Sequence, residues 1–312
     1  MNFENSYKNK NFIEKFKKKN LKYFTYWILI LIAITSSVLI IFILIEKNSK
    51  QYVDSSLFMD KKVHQILFGP NSERISENVK SEISKLEECI SHEIYGSDIE
   101  RINSASGKWV KVQKITIDTL YKLIDISRRS RGIFDPTYLS LIKLYGSEFG
   151  QIKDIDQEKL DKILKTVDYK LIKIDSELNR VKIDNEVTKI TLNDALEGLA
   201  CEKAIEIYKN SKINQAIISI GNTTGYFKSK HSKKPNNAPV SDGFISIFEN
   251  SDNNNYKVIN ARTGKIKNII ETNLVFHPTS GVISSILSRL YSLLTQEEIQ
   301  EIFRFYGCQL VN

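Results

Sequence analysis

The stretch TLNDALEGLACEKAIEIY at residues 191–208, followed after a short polar break by AIISIGN at 216–222, decides the architecture of this chain. Leu196, Leu199, Ala200, Ala204, Ile207 and Tyr208 fall on one face of a helix. The apolar run Ala216 to Ile220, ended by Gly221, predicts a buried strand. Working back towards the N-terminus, two alternating runs, 169–174 and 180–183, flank the turn residues Asp175 and Ser176 and predict a hairpin. A short helix is expected over 156–167. Thr116 is the expected cap of another helix, which carries Ile117, Leu120, Tyr121 and Ile124. Ile75, Val79, Ile83, Leu86 and Ile90 make the apolar stripe of an amphipathic helix over 72–91. Towards the C-terminus lie a strand over 244–248, a helix over 280–294, and a capping box formed by Thr295 and Glu298 that opens the last helix. Residues 230–242 and 249–255 read as polar loops. Helices and strands mix without a regular βαβ cadence, so the fold class is α+β.

Residues 24–45 contain no charged side chain. At 1.5 Å per residue they span about 33 Å, enough to cross a hydrocarbon core of about 30 Å. Tyr23, Tyr26 and Trp27 suit an interfacial aromatic belt. The chain carries a net charge of +8, and residues 1–23 hold seven lysines against two glutamates. Lysine before the span and balanced charge after it predict a cytoplasmic tail (1–23), a transmembrane helix (24–45), a polar linker (46–63) and an extracytoplasmic domain (64–312). The expected location is the inner (cytoplasmic) membrane, with the main domain periplasmic or extracellular. The lysine run either binds anionic membrane lipid or only fixes topology. With that run set aside the charge is nearly balanced, so nothing marks a nucleic-acid binder. Cys89, Cys201 and Cys308 are widely spaced and odd in number, which favours buried free thiols over a zinc site or disulfide framework.

Five blocks then follow in order: Ser97-Asp98-Ile99-Glu100-Arg101-Ile102-Asn103; Gly132-Ile133-Phe134-Asp135-Pro136-Thr137; residues 192–200 with Glu197-Gly198; Ser219-Ile220-Gly221-Asn222; and Val258-Ile259-Asn260-Ala261-Arg262-Thr263-Gly264. This series resembles the bacterial flavin transferase family, the ApbE-type FAD:protein FMN transferases. The resemblance implies an α+β fold that holds FAD. With magnesium, active members move FMN from FAD onto a Ser or Thr of a partner redox protein and release AMP.

On that resemblance Asn103, Phe134, Asp135, Thr137, Gly221, Arg262, Thr263 and Gly264 are the expected flavin-nucleotide contacts. The family's metal-holding Asp and Thr correspond to Ser285 and Arg289, so Mg2+ is doubtful here. Where the family has His, Asp and Pro before the Arg-Thr-Gly element, this chain has Lys257, Asn260 and Ala261. Asp194 and Glu197 stand where the family has Gly and Lys, and either they rebuild a metal site or they suit the start of a helix. Arg289 offers a further route, neutralising a pyrophosphate in place of the metal. Asp194, Glu197 and Arg289 are thus the catalytic candidates. Two functions fit: a divergent transferase acting on a redox flavoprotein, or a non-catalytic flavin- or protein-binding scaffold of a membrane complex.

Overall fold

The computed structural model describes residues 30, 32–37, 51–58, 61–146, 156–229, 242–248, 257–268 and 272–311. Residues 1–50 and 51–312 are separate compact units. In the first, residues 30 and 32–37 are helical, and Ser36 and Ser37 donate to the Ala33 carbonyl. The rest of the expected span over 24–45 lies outside the described residues. Among the described residues no helix is long and apolar enough to cross a membrane.

The second unit is α+β. Its elements run β1 (Gln51–Phe58), β2 (Lys61–Phe68), α1 (Ser72–Ile90), α2 (Asp98–Ser104), β3 (Val110–Lys111), α3 (Lys114–Arg129), α4 (Leu139–Tyr145) and α5 (Gln157–Leu164). There follow β4 (Ile172–Asp175), β5 (Arg180–Ile183), α6 (Asn193–Lys209), β6 (Gln215–Ile220), β7 (Thr223–Lys228), β8 (Gly243–Phe248), β9 (Lys257–Ile259), β10 (Ile266–Asn268) and β11 (Asn273–His277). Helices α7 (Gly281–Leu290) and α8 (Gln296–Tyr306) and strand β12 (Gln309–Leu310) complete the chain. Seven strands form one antiparallel sheet in the order β1-β2-β6-β7-β8-β11-β12, beside a three-stranded sheet β3-β5-β4 and the pair β9-β10.

Period-two burial explains the large sheet. Ala216, Ile218 and Ile220 of β6 are buried, while Gln215, Ile217 and Ser219 between them are only half-buried. Helix α6 lies against this inner face and contacts β6, β7, α1 and α7. Ala195, Leu196, Leu199, Ala200, Ala204 and Tyr208 are all buried. The Tyr208 hydroxyl donates to Gln65 Oε1 at 2.6 Å, which satisfies a phenol deep in the core.

Several expectations are met and several are corrected. The Thr295–Glu298 capping box is present, β4 and β5 form the expected hairpin, and the three cysteines are buried free thiols. The polar linker over 46–63 is corrected: residues 51–58 and 61–68 are a β-hairpin whose second strand enters the core through Val63 and Leu67. Its first strand mixes polar and apolar residues on both faces, Gln51, Val53, Ser55 and Leu57 outward and Tyr52, Asp54 and Ser56 inward, so composition hides the pattern. Thr116 is not a cap either, because α3 already starts at Lys114. The N-cap is Gln113, and Asp98 of α2 holds the start of the helix, accepting from the Gln113 N–H at 2.7 Å and from the Thr116 hydroxyl at 2.6 Å. The helix expected to reach Leu294 ends at Leu290.

Helices α6 and α7 cross with only glycine between them. A methyl group on Gly198 would come within 2.2 Å of the Gly281 carbonyl oxygen, and one on Gly281 within 2.5 Å of the Gly198 carbonyl. Rigid backbone on both sides leaves no side chain to move aside. Gly198→Ala is therefore expected to destabilise the fold by about 3 kcal/mol, the upper range for overpacking. Chemical denaturation would measure it, and a loss under about 0.5 kcal/mol would show that the crossing can open.

Candidate functional site

The α6–α7 crossing brings two of the three catalytic candidates, Asp194 and Arg289, together with Ser285. Asp194 lies one turn before Gly198, and Ser285 and Arg289 lie one and two turns after Gly281, so all three project on the side of the contact. The Ser285 hydroxyl donates to the Asp194 main-chain carbonyl at 3.0 Å. Arg289 Nη1 donates to Asp194 Oδ1 at 3.0 Å, and the Tyr138 hydroxyl donates to Asp194 Oδ2. Arg289 also stacks its guanidinium 5.0 Å from the centre of the Phe248 ring. Burial, with the Asp194 charge added to it, raises the Tyr138 phenol well above its ordinary value, so it stays a protonated donor.

This unit fills the place where the resemblance puts a metal. Both Asp194 carboxylate oxygens are engaged, the Ser285 hydroxyl points at a carbonyl, and the remaining partner is a cation. Magnesium is held by carboxylates together with phosphate oxygens and water. The donor set here does not fit it. Glu197 supplies no second ligand: it is buried, forms an ion pair with Lys61, and accepts the Asn222 N–H at 2.9 Å. Its carboxylate stands where a side chain on Gly221 would be, since a Cβ there would lie 2.7 Å from Glu197 Cδ, and Gly221 also takes a φ of 52°. Glu197 and Gly221 therefore form one turn-holding unit at the α6 end of the sheet. Among the described residues no cluster of three or more His, Cys, Asp and Glu is placed to hold a metal.

The nucleotide-contact candidates are divided between several places. Phe134, Asp135, Tyr138, Asp194, Lys257 and Arg289 line one cavity of about 130 Å³. Asp135 Oδ1 accepts from the Thr137 N–H and hydroxyl at 2.9 and 2.6 Å, and its Oδ2 accepts from the Tyr169 N–H at 2.8 Å. Burial raises its carboxyl above the usual value, and those three donors act in the opposite sense. Asn103 lies elsewhere: its amide donates to the Ile190 carbonyl at 2.9 Å and accepts the Ile190 N–H at 2.8 Å, clamping α2 to the strand-like segment before α6. Arg262, Thr263 and Gly264 form the turn between β9 and β10, in which Asn260 Oδ1 accepts the Arg262 and Thr263 N–H groups. Arg262 also donates to the Arg131 carbonyl at 3.4 Å. Sequence reasoning missed Tyr138 and Lys61, whose partners are 56 and 136 residues away.

Helix α7 is fixed from its own N-terminus. Ser280 Oγ accepts the Ile283 N–H, and Glu202 accepts from the Ser280 hydroxyl at 2.6 Å and the Val282 N–H at 3.0 Å. His277 Nδ1 accepts the Ser280 and Thr279 N–H groups at 2.8 and 3.1 Å.

With this geometry in view, comparison with known proteins identifies the class. The profile of the ApbE family matches residues 59–242, more than half of the chain. The chain belongs to the ApbE family. No curated protein matches the sequence. The crystal structure of the ApbE protein from Thermotoga maritima is similar at 17% identity, covering 84% of this chain and 93% of that one, with a TM-score of 0.71. The apo Pseudomonas stutzeri flavinyl transferase ApbE gives 17% identity, 84% and 92% coverage and 0.72. The flavin transferase ApbE from Vibrio cholerae gives 13%, 84%, 93% and 0.71. At such identities the likeness is one of fold.

Two predictions follow from the packing. Arg289→Ala and Asp194→Ala, singly and combined, are expected to show a coupling of about 2 kcal/mol in a double-mutant cycle of unfolding. A coupling near zero would mean the pair is not formed. His277 has its imidazole value lowered, first by burial. The unfolded chain thus binds a proton that the native state refuses, and the stability from neutral His277 is complete above about pH 6.5 and lost as pH falls. Replacing it by Gln, which accepts but does not titrate, should flatten the decline in melting temperature between about pH 7 and pH 5. An unchanged slope would remove His277 from that account.

Proposed function

We propose that the protein is a membrane-anchored member of the ApbE family that works as a binding scaffold and does not transfer FMN. The observation that carries this reading is the Asp194–Arg289–Tyr138 unit in the metal's place. Phosphoryl transfer depends on positioning and on neutralising phosphate charge. Here the cation best placed for that is already bound to a carboxylate, and the carboxylate to a phenol. The adjoining cavity of about 130 Å³ is also small beside the roughly 300–1,000 Å³ of ordinary ligand pockets, and FAD is a large ligand. Support for the anchor comes from the charge-free residues 24–45 and the lysines before them, and the same asymmetry favours a scaffold outside the cytoplasm. Its partner in this reading is a redox flavoprotein or another subunit of a membrane complex.

A second reading, flavin binding without transfer, is favoured by one feature. Arg262 borders an open basin of about 560 Å³ where Arg128, Arg131, Lys165 and Lys170 outnumber the acids Asp135 and Asp168. That space and charge suit a phosphorylated ligand without a metal.

Titration of FAD into the detergent-solubilised full chain, with and without magnesium, separates these readings. The expected result is no magnesium-dependent binding and no AMP release when a Ser- or Thr-containing acceptor is added. Binding that is equal in both conditions supports the second reading. Tight, magnesium-dependent binding with AMP release would overturn the non-transferring assignment.

A further inference from the structure

Strand β1 is the last strand on one side of the seven-stranded sheet, and among the described residues nothing pairs with its outer edge. Edge strands of soluble proteins are normally blunted by proline, lysine, a bulge or short length. β1 is eight residues long, QYVDSSLF, contains neither proline nor lysine, carries a single charge, Asp54, that is turned inward and neutralised by Lys80 at 3.2 Å, and pairs with β2 without a break in register. Its outward residues include Val53, 50% exposed, and Leu57, 72% exposed. On the opposite face the buried Ser56 hydroxyl has no hydrogen-bond partner.

We propose that β1 pairs with β1 of a second copy of this chain, antiparallel, in a two-fold register centred on Ser55. Directly opposed residues in an antiparallel pair share a face, so residues can oppose each other only with matching parity. Centring on Ser55 sets Val53 against Leu57 twice, Tyr52 against Phe58, and Asp54 against Ser56. That last pair brings a carboxylate to the strand position of the orphan hydroxyl. The neighbouring registers are worse. Centring on Asp54 opposes two like charges and wastes Val53 on Ser55, while centring on Ser56 carries Val53 past the end of the opposing strand.

The choice of a second copy, over another protein, rests on this self-complementarity and on the proposed anchor. Five residues separate Ile45 from Gln51, a reach of at most about 22 Å. A two-fold axis along the membrane normal puts both Gln51 ends at one height, so two anchored chains can pair without strain. A contact of two strands is smaller than the standard interface of about 1,600 Å², and confinement in one membrane supplies the effective concentration it needs.

The test uses the full-length chain in its membrane with Ser55→Cys. The native cysteines are buried, so the introduced thiol is the reactive one. In the proposed register the two residues at 55 have Cα atoms about 5 Å apart, within disulfide reach. The two residues at 51 are about 27 Å apart. Oxidation with copper phenanthroline and oxygen should give a covalent dimer from Ser55→Cys and none from Gln51→Cys, with at least a fivefold drop when Leu57→Lys is added. No dimer at 55, equal yields at both positions, or an adduct of another mass would overturn the pairing. Sedimentation of the same sample reports the anchor separately. A membrane-bound chain that does not crosslink defeats only the pairing, and a soluble chain that still crosslinks at 55 defeats only the anchor.

Discussion

The site depends on the contact between Gly198 and Gly281. With no side chain at either position, two helices approach to backbone distance, and everything one turn away is brought within hydrogen-bond range. Asp194 and Ser285 each lie four residues from a glycine of the crossing, which is why a hydroxyl on one helix reaches a main-chain carbonyl on the other at 3.0 Å. A larger residue at the crossing would separate the helices and with them Asp194 from Arg289. Packing density thus sets the electrostatics, since interiors transmit such displacements and do not absorb them.

Given that proximity, the charges must be reconciled locally. Asp194 is mostly buried and would be costly without a partner. Arg289 supplies the opposite charge and Tyr138 a hydrogen bond, so a family site for a cation becomes a closed unit of side chains. Glu197 follows the same logic at the other side of α6, where Lys61 and the Asn222 amide satisfy it. Each acid is thus matched with its own cation. A carboxylate introduced to hold a metal would keep free oxygens facing a cavity, and neither of these does.

The sequence made legible those features set by local rules. The helix over 72–91, the capping box at Thr295 and the hairpin at 172–183 depend on periodicity and turn residues within a few positions. The family blocks were readable because they are short and collinear. What escaped was long-range. Strand β1 presents serines and an aspartate on a partly covered sheet edge, so its alternation carries little hydrophobic contrast and it reads as a tether. Thr116 looks like a cap because the true acceptor, Asp98, sits on another helix. Lys61 and Tyr138 gave no local sign of pairing with acids far along the chain. The candidates Asp194, Glu197 and Arg289 were identifiable as substitutions, but that two of them neutralise each other required the crossing to be seen.

The retained and replaced parts of the family pattern also differ in what they do here. Asp135 and Thr137 hold one another and the Tyr169 amide, Asn103 clamps Ile190, and Gly221 leaves room for Glu197. Each of these contacts is made between parts of the chain itself. At 194, 285 and 289 the substituted residues are tied to one another across the helix crossing, Ser285 through the Asp194 carbonyl and Arg289 through its carboxylate. The same side chains thus serve packing and electrostatics at once, so a change at the crossing alters both.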